Sequence, residues 1–364
     1  MKIPLTSPKL NIKKNQKDIL SAISKVINSD SYILGKEARK LESKFSKYIG
    51  TNYAIGVANG TDAIELSLRA LGIKAGDEVI TVSHTAIGTV FAIEAIGAKP
   101  VFVDIEKIYY TIDPMQVKKA ITRKTKAIIA VHLYGNSADI LKLKKLCSSK
   151  KIYLIEDASQ AHGAMFGKKK LGSIGDVGCF SCYPTKNLGA IGDAGIITTN
   201  KKNLASKIKK LREYGWKNRN SLFYGRNSRL DEIQAAILMV QLKSLEKDNL
   251  KRIKVAKFYN NNIKNPKIIL PKTRVGCKSV FHLYVIKTNI RNKIIKKLKQ
   301  NNITTGIHYP IPIHKQGFYK KTKANIKNLE ITEKISKQII SLPIYPEIKL
   351  EQLKKICYLL NNLT

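Results

Sequence analysis

The sequence predicts an α/β protein whose larger part is a mostly parallel β-sheet covered by helices, followed by a smaller α+β domain. Short β-branched runs alternate with helical stretches between residues 53 and 199, and such alternation implies crossover connections between parallel strands. After residue 199 the alternation stops and long helical stretches follow. With 364 residues the chain has room for two domains, which we place at residues 1–250 and 251–364.

The individual elements follow from the periodicity of the apolar residues. We predict strands over residues 53–58, 78–82, 100–104, 127–133, 152–156, 178–183, 194–199 and 280–286. We predict helices over residues 15–28, 37–49, 62–71, 86–96, 114–121, 138–149, 204–214, 231–250 and 292–301. Ligands of such sheets bind beyond the carboxyl ends of the strands, so residues that directly follow strands are the candidates for a site.

The composition predicts a cytoplasmic globular protein. Hydrophobic residues make up 43% of the chain, no apolar run approaches the ~18 residues of a membrane span, and the first residues lack the apolar core of a signal peptide. A net charge of +40 is common in nucleic-acid-binding proteins, but the lysines are spread over polar helix faces and no nucleic-acid motif is present. We expect neither a nucleic-acid nor a membrane partner, although the charge favours an anionic substrate such as a nucleotide diphosphate.

The five cysteines predict neither a disulfide framework nor a metal site. Cys179 and Cys182 have CxxC spacing, but no second pair follows at the spacing of a zinc site. Both fall in a predicted strand, where they would point to opposite faces. We therefore expect buried free thiols and no metal.

Two residues within the stretch 152–195 point to a specific chemistry. Asp157 follows the strand-like run IYLIE, and Lys186 lies in the glycine-rich turn SCYPTKNLGAIGDAG, away from the amphipathic helices that carry most other lysines. A carboxylate and a lysine at strand ends can hold a pyridinium ring and bond to its aldehyde, which predicts pyridoxal phosphate as the cofactor. Near the cationic ring the pKa of Lys186 would be depressed, which favours Schiff-base formation and proton transfer. For Asp157 an ordinary helix cap is the alternative.

Further positions could hold the rest of this cofactor. Gly60 and Thr61 directly follow a strand and open a helix, where free backbone N–H groups and a hydroxyl make a phosphate seat. An ordinary Asn/Thr helix cap is the alternative for this turn. Ser181, in the strand before the lysine, could hydrogen-bond the phosphate, and Gln160, a short turn after the aspartate, could reach the phenolic oxygen of the ring.

The loop GIHYPIPIH is a candidate for substrate contacts. It places His308, Tyr309 and His314 among prolines, where rings and N–H donors could face a polar substrate. Loop residues packed on the seam between the domains are the alternative. His132 and His282 fall within predicted strands and are interpreted as core histidines.

Taken together, these motifs resemble the nucleotide-sugar aminotransferases of the DegT/DnrJ/EryC1/StrS group. The matching segments, which run over nearly the whole chain, are YAIGVANGTDAIELSLRALG, EVITVSHTAIGTVFAIEAIGAKPVFVDI, IEDASQAHGA, GSIGDVGCFSCYPTKNLGAIGDAG, LREYGW, GRNSRLDEIQAAIL, FHLYVI and TGIHYPIPIHKQ. Members of this family are fold-type I pyridoxal phosphate enzymes. The resemblance implies a large domain with a mixed, mostly parallel seven-stranded sheet and a smaller C-terminal α+β domain.

The resemblance also implies roles for the candidate residues. Lys186 would bond to the cofactor and act as general acid and base, with Asp157 at the pyridine nitrogen, Gln160 on the ring-hydroxyl side, and Gly60, Thr61 and Ser181 on the phosphate. Asn227, in GRNSRLDE, would contact the phosphate of the neighbouring subunit, because the family builds its sites at a homodimer interface. His84, Tyr183, His308, Tyr309 and His314 would bind substrate. The usual amino donor is L-glutamate, in a ping-pong mechanism.

One position departs from the family pattern. Many members place an aromatic residue on the cofactor ring at the position that Ala86 holds here, so His84 or another ring covers that face, or the ring is less tightly enclosed. Retention of Lys186 favours aminotransfer over the related dehydratase chemistry, in which histidine replaces the lysine.

The motif IHYPIPIHKQ resembles members that act on dTDP-linked 3-ketosugars, so we favour a dTDP-3-keto-6-deoxyhexose as substrate and deoxyaminosugar or surface polysaccharide biosynthesis as the context. A 4-keto sugar linked to UDP, GDP or dTDP and a cyclitol ketone are the alternatives. A basic nucleic-acid-binding regulator on the same scaffold is a more distant one.

Overall fold

The structure is a computed structural model that describes residues 2–321 and 329–363. Its helices are α1 Pro8–Lys14, α2 Gln16–Ile27, α3 Lys36–Ile49, α4 Gly60–Ala70, α5 Ile87–Glu94, α6 Pro114–Ala120, α7 Ile140–Lys150, α8 Lys202–Leu211, α9 Glu232–Asn262, α10 Arg291–Gln300, α11 Gly317–Lys321, α12 Glu330–Gln338 and α13 Leu350–Asn361. Its strands are β1 Tyr53–Val57, β2 Glu78–Val82, β3 Lys99–Val103, β4 Thr125–Val131, β5 Tyr153–Asp157, β6 Met165–Phe166, β7 Lys169–Lys170, β8 Val177–Ser181, β9 Gly195–Thr199, β10 Trp216–Lys217, β11 Asn220–Ser221, β12 Ile268–Ile269, β13 Cys277–Lys278, β14 Tyr284–Thr288 and β15 Ile339–Leu342.

The central sheet has seven strands within the described ranges, in the order β1-β9-β8-β5-β4-β2-β3. β9 runs antiparallel to its neighbours β1 and β8, and the other pairs are parallel. Strands such as β4 are buried along nearly their whole length, as expected where helices cover both faces of a sheet. The predicted mixed, mostly parallel α/β fold is confirmed.

The strand directions determine which edge of this sheet can form a site. Because β9 is the strand that runs the opposite way, the carboxyl ends of β1, β8, β5 and β4 all lie at the same edge. From β1 the chain enters the N-terminus of α4, from β8 it enters the loop of Lys186, and β5 ends at Asp157 itself. The residues that follow strands in the sequence therefore meet in space.

The C-terminal part of the chain builds a second core around the small sheet β12-β14-β15. Tyr259 and Tyr284 are fully buried there, with ring centroids 4.8 Å apart. Ile3 is buried in the same core, and its backbone pairs with that of Ile303. The first residues of the chain thus pack with the C-terminal core, although we predicted them to be part of the large domain.

Helix α9 contributes to both cores. Leu245 belongs to the core of the large sheet, whereas Val255, Ala256 and Tyr259 belong to the second core. The prediction that this helix ends at residue 250 is wrong, because these later apolar residues continue the helix to Asn262. The change from one core to the other occurs within a helix and not at a loop.

Two other predicted elements differ from the structure. The helix predicted over residues 15–28 is preceded by α1, and the break lies at Asn15, whose side chain donates a hydrogen bond to Gln241 at 3.0 Å. The strand predicted over residues 280–286 begins only at Tyr284, because Phe281 has a φ of 45°, which interrupts an extended strand. The short strands β6 and β7 were not predicted; β6 lies between β13 and β7 and pairs with both.

Within the described ranges, no helix is long and apolar enough to span a bilayer. No cluster of histidine, cysteine, aspartate and glutamate side chains suited to a metal ion occurs there either. The five cysteines are free, and all but the half-buried Cys277 are buried, which confirms the prediction of free thiols.

Candidate active site

A cavity of about 590 Å³ opens at the edge where the carboxyl ends of β1, β4, β5 and β8 meet. Its lining includes Asn59, Gly60, Thr61, Ala86, Thr89, Asp157, Gln160, Ser181, Tyr183, Lys186, Arg226, His282, His308 and Tyr309. Most of the residues predicted for the site are therefore brought together. They come from separate segments of the large domain and from two loops of the C-terminal part.

Asp157 is fixed by two hydrogen bonds on the sheet side of the cavity. Thr89 Oγ1 donates to its Oδ2 at 2.8 Å, and the Ser159 N–H donates to its Oδ1 at 3.1 Å. The residue is buried, so the carboxylate is held in one orientation and largely shielded from bulk water. A fixed carboxylate in such a place can pair with a cationic group of a ligand.

Lys186 faces the same cavity from the loop after β8. Burial lowers the pKa of its amine, and the negative charge of Asp157 acts in the opposite direction. Its backbone N–H donates to the Tyr183 carbonyl at 2.8 Å, which closes the turn. Within the described part of the chain its Nζ has no hydrogen-bond partner, and it is not sealed from solvent, so the amine is available to a ligand. A lysine with a lowered pKa has a larger neutral, nucleophilic fraction.

The N-terminus of α4 forms one end of the cavity. Asn59 caps the helix, since its Oδ1 accepts the Asp62 N–H at 2.8 Å, while the preceding N–H groups of Gly60 and Thr61 line the cavity. A Cβ atom on Gly60 would lie 2.6 Å from the Cβ of Ser181, so only glycine lets the two segments approach this closely. The helix cap and the predicted phosphate seat are therefore compatible. The cap pairs with the N–H of Asp62 and leaves the N–H groups of Gly60 and Thr61 for a phosphate.

Arg226 reaches the same end of the cavity from the segment before α9. Its Nη1 lies 3.4 Å from Asp62 Oδ1 and also contacts Glu65 Oε2. Its side chain is 44% exposed at the cavity wall. Arg226 could not be predicted from the sequence, because the segment GRNSRLDE has no periodicity that indicates which side chains face the sheet.

Gln160 and Tyr134 connect the large domain to the loop of His308 and Tyr309. Gln160 Nε2 donates to the Tyr309 hydroxyl at 3.2 Å, and its Oε1 accepts the Tyr134 N–H at 2.8 Å. The Tyr134 hydroxyl in turn donates to the His308 carbonyl. The loop from the C-terminal part is therefore fastened over the cavity by side chains of the large domain.

Comparison with known proteins identifies the class of this site. The model of the DegT/DnrJ/EryC1/StrS aminotransferase family matches residues 13–361. The chain belongs to this family.

Three similar proteins indicate what members of the family do. The dTDP-3-amino-3,6-dideoxy-alpha-D-galactopyranose transaminase of Aneurinibacillus thermoaerophilus is 45% identical over 348 residues, which cover 95% of each chain. The UDP-N-acetyl-3-dehydro-alpha-D-glucosamine 3-aminotransferase of Acidithiobacillus ferrooxidans is 37% identical over 355 residues, 97% of this chain and 96% of that one. The structure of NtdA from Bacillus subtilis with bound cofactor PMP matches with a TM-score of 0.90 at 32% identity, over 99% of this chain and 84% of that one. The predicted family, the aminotransferase class and the pyridoxal phosphate cofactor are confirmed.

Two residues predicted to contact substrate lie outside the cavity of this aminotransferase. His84 is fully buried, with its Nε2 2.8 Å from the Tyr134 hydroxyl, and burial lowers its pKa to about 4. His314 is buried between Ser83, 2.6 Å from its Nδ1, and Glu333, 3.0 Å from its Nε2. Neither histidine lines the cavity in this structure, and each contacts protein groups instead. Their contact with substrate stays a prediction.

The other predicted positions divide into two groups. Tyr183, His308 and Tyr309 line the cavity, and Tyr183, 52% exposed, stands at its mouth. Asn227 is exposed and does not line the cavity of its own chain. A role for Asn227 at the phosphate would have to be played in a neighbouring subunit.

His282, interpreted from sequence as a core histidine, lines the cavity. His282 lies in an irregular segment before β14 and not in the strand itself. The run FHLYVI reads as a strand, and no feature of it signals the positive φ at Phe281. This residue could not be found from periodicity alone.

Proposed function

We propose that this cytoplasmic family member transfers an amino group from L-glutamate to a nucleotide-linked 3-ketosugar, with dTDP-3-keto-6-deoxyhexose as the favoured substrate. The observation that carries the proposal is the placement of Lys186 and Asp157 in one cavity that ends at the N-terminus of α4. The relative named as a dTDP-3-amino-sugar transaminase supports a dTDP-linked 3-keto substrate. The relative named for a UDP-linked sugar makes UDP the leading alternative to dTDP as the nucleotide of the substrate.

The residues present fit pyridoxal phosphate. Lys186 offers a half-buried amine that has no hydrogen-bond partner among the described residues, and Asp157 offers a fixed carboxylate. Free backbone N–H groups at Gly60 and Thr61, with the hydroxyls of Thr61 and Ser181, suit the phosphate. Glycine at position 60 is required by the close contact with Ser181, so this cradle is built into the packing.

The cofactor supplies an aldehyde that bonds to amines and a ring that accepts an electron pair from a substrate carbon. Asp157 would pair with the ring nitrogen, because a buried carboxylate held by Thr89 stabilises a cation next to it. Lys186 Nζ would serve as the general base that accepts the proton of the amino donor and as the general acid that gives it back. Its lowered pKa favours this role, because a general base works best when its pKa lies near the working pH.

The sugar and the second subunit complete the proposal. Tyr183, His308 and Tyr309 would contact the sugar; their position in the cavity lining supports this role, and two of them come from the C-terminal part. The protein would act as a homodimer in which Asn227 reaches the phosphate of the partner's site. Its exposed position next to the cavity residue Arg226 supports this arrangement.

Spectroscopy on the purified protein tests the reaction class. We expect the protein loaded with pyridoxal phosphate to absorb in the visible and to lose that band when L-glutamate is added. Borohydride should fix the cofactor to the wild-type chain but not to Lys186→Ala. Lys201→Ala is the matched control, because Lys201 pairs with Asp176 at 2.6 Å on the surface and should leave fixation unchanged. Fixation that persists in Lys186→Ala would show that another lysine bonds to the cofactor.

A substrate panel tests the specificity. With L-glutamate present, mass spectrometry should detect amination of a dTDP-linked 3-ketosugar in preference to 4-ketosugars and to UDP-linked sugars. Free dTDP should inhibit amination of this substrate, whereas it should not inhibit amination of a cyclitol ketone. Amination of a 4-ketosugar alone, or amination that free dTDP does not inhibit, would show that the proposed substrate is wrong. The reaction class would be unaffected by either result.

A further inference from the structure

Tyr134 lies in the short turn that follows β4, and its backbone has a left-handed conformation, with a φ of 61°, that residues other than glycine rarely adopt. Its side chain is buried and is not part of the cavity lining, so any role in the reaction must pass through other residues. A tyrosine in a strained backbone position is expected to make contacts that compensate for the strain.

The backbone of this turn is bonded to the segment that contains His282. The Val280 N–H donates to the Gly135 carbonyl at 3.1 Å, and the Leu283 N–H donates to the Tyr134 carbonyl at 3.4 Å. A Cβ atom on Gly135 would lie 3.0 Å from the backbone nitrogen of His282, so the two segments are in close contact. The backbone of the turn therefore holds one of the two segments of the C-terminal part that line the cavity.

The side chain of Tyr134 holds the other segment, the loop of residues 306–313. Both ends of this loop are fixed by backbone hydrogen bonds. Gly306 exchanges two of them with β15, and the Ile313 N–H donates at 3.1 Å to the residue that follows β2. Between these ends, the Tyr134 hydroxyl donates to the His308 carbonyl. This bond fixes the main chain in the middle of the loop, at a residue that lines the cavity.

The hydrogen bonds around the Tyr134 hydroxyl have a defined direction. The His308 carbonyl can only accept, so the hydroxyl hydrogen is directed at it, and the hydroxyl oxygen accepts from His84 Nε2, 2.8 Å away. Burial raises the pKa of Tyr134 well above its ordinary value of 10.0, with smaller contributions of the same sign from Tyr309 and Tyr110. The hydroxyl therefore keeps its hydrogen and remains a donor to the loop.

The ring of His308 is held separately from its carbonyl. His308 Nδ1 lies 2.8 Å from the hydroxyl of Ser341, which is fully buried. With its main chain fixed by Tyr134 and its ring by Ser341, His308 has a defined position in the cavity lining. Tyr309 follows directly and accepts a hydrogen bond from Gln160, so both loop residues that would contact the sugar depend on this framework.

We propose that Tyr134 is a positioning residue for the sugar half of the reaction, whose hydroxyl holds the loop so that His308 and Tyr309 are in place for the nucleotide-linked ketosugar. The proposal rests on the proposed function, in which these two residues contact the sugar. Lys186 and Asp157 lie on segments of the large domain that this hydroxyl does not contact. The glutamate half of the reaction should therefore depend much less on the hydroxyl than the sugar half.

Tyr134→Phe removes the hydroxyl and keeps the buried ring, so the variant should fold. In a ping-pong reaction, kcat/KM for each substrate reports its own half of the reaction. We expect kcat/KM for the nucleotide sugar to fall about tenfold, because the His308 carbonyl loses its donor, and kcat/KM for L-glutamate to change by no more than about twofold. The two halves are measured separately, by loss of the visible band with L-glutamate and by its return when the sugar is added.

Hydrogen exchange provides a readout that does not depend on turnover. In the loaded Tyr134→Phe enzyme without substrates, peptides from residues 306–313 should exchange about tenfold faster than in the wild type, whereas peptides from β14 should exchange at the same rate. Equal acceleration in both sets of peptides would show that Tyr134 only supports the packing of the core, and the proposal would be wrong.

Tyr110→Phe is the matched control. Tyr110 is also buried, and its ring centroid lies 6.5 Å from that of Tyr134. Among the described residues its hydroxyl makes no hydrogen bond to the loop 306–313. This variant should match the wild type in both halves of the reaction and in hydrogen exchange. Equal losses in the two halves in Tyr134→Phe, an unchanged sugar half, or the same changes in Tyr110→Phe would overturn the proposal.

A failure of the proposed function gives a different result. If the visible band of the wild-type enzyme does not return with any nucleotide-linked ketosugar, the proposed substrate class is wrong, and the role of Tyr134 toward the sugar is wrong with it. If the band returns equally fast in the wild type and in Tyr134→Phe, the proposed function stands and the assignment of Tyr134 falls.

Discussion

At the scale of single residues, Thr89 determines how firmly Asp157 is held. Its hydroxyl donates to Asp157 Oδ2 at 2.8 Å, and hydrogen bonds to charged groups contribute about 1.5–3 kcal/mol. We expect Thr89→Val, which keeps the shape and removes the donor, to weaken cofactor binding roughly 10- to 100-fold. Titration of the cofactor-free protein with pyridoxal phosphate, followed by fluorescence, measures this change.

Thr85 provides the comparison for this prediction. Its Oγ1 lies 3.1 Å from Thr89 Oγ1 and, among the described residues, makes no hydrogen bond to Asp157. Thr85→Val should therefore change cofactor affinity by no more than about threefold. Equal losses in both variants would mean that packing around the two threonines, and not the bond to the carboxylate, is responsible.

The residues that could be predicted from sequence are those whose position follows from a strand end. Asp157 and Lys186 come after apolar runs, and parallel strands bring such positions to one edge. Thr89 and His282 could not be predicted in this way, because a helix face and a segment with a positive φ select their directions. His84 was assigned by resemblance and His314 first from its proline-spaced loop, but neither lines the cavity, and both bond to protein groups.

At the scale of elements, Glu156 holds the segment 172–175 in place through hydrogen bonds to its backbone. The carboxylate is fully buried and accepts hydrogen bonds of 2.6–3.0 Å from His132 Nε2 and from the N–H groups of Gly172, Ile174 and Gly175. Burial alone would raise the pKa of Glu156, but these hydrogen bonds outweigh it and hold that pKa below its ordinary value of 4.5. The ionised form therefore stabilises the fold.

Glu156→Gln should lower the free energy of unfolding by roughly 3–5 kcal/mol near neutral pH, because it leaves buried donors poorly paired. A carboxyl group whose pKa is lower in the folded than in the unfolded state stabilises the fold at pH values above the unfolded-state pKa. This stabilisation is lost as the pH falls through the folded-state pKa. The difference between variant and wild type should therefore shrink as the pH falls below the ordinary carboxyl pKa of 4.5, as measured by urea unfolding.

Glu246→Gln is the control for a surface position. Glu246 pairs with Lys278 at 2.6 Å, but its side chain is 47% exposed, and such pairs contribute about 1 kcal/mol or less. A large effect at Glu246, or a pH-independent effect at Glu156, would contradict the assignment of stability to the buried carboxylate.

Helix α9 shows which elements sequence periodicity describes poorly. Its apolar residues face the large sheet up to Leu245 and the second core from Val255 onward. The stripe therefore changes direction, and a single 3.6-residue period predicts a helix that stops between them. The small strands β12 and β15 were missed for a related reason, because they depend on a sheet whose members lie far apart in sequence.

At the scale of the whole molecule, the cavity is one part of a proposed two-subunit site. Exposed aromatic side chains surround the segment that precedes α9, namely Tyr214, Trp216, Phe223 and Tyr224. A contiguous exposed apolar surface is typical of a protein–protein interface. Asn227 lies in the same segment, so an interface formed there would carry it toward a second copy.

Mixing two inactive variants tests whether Asn227 acts across that interface. A dimer of one Lys186→Ala chain and one Asn227→Ala chain has a single intact site if Asn227 works in the partner, and none if it works in its own chain. Random exchange makes about half of all dimers mixed, so activity should return to about a quarter of the wild-type value. Asn227→Ala mixed with the Lys186→Ala/Asn227→Ala double variant offers no intact site in either arrangement, includes any residual activity of the Asn227→Ala chains, and serves as the baseline. Recovery no greater than this baseline would show that Asn227 has no role in the partner's site, even if the protein is a dimer.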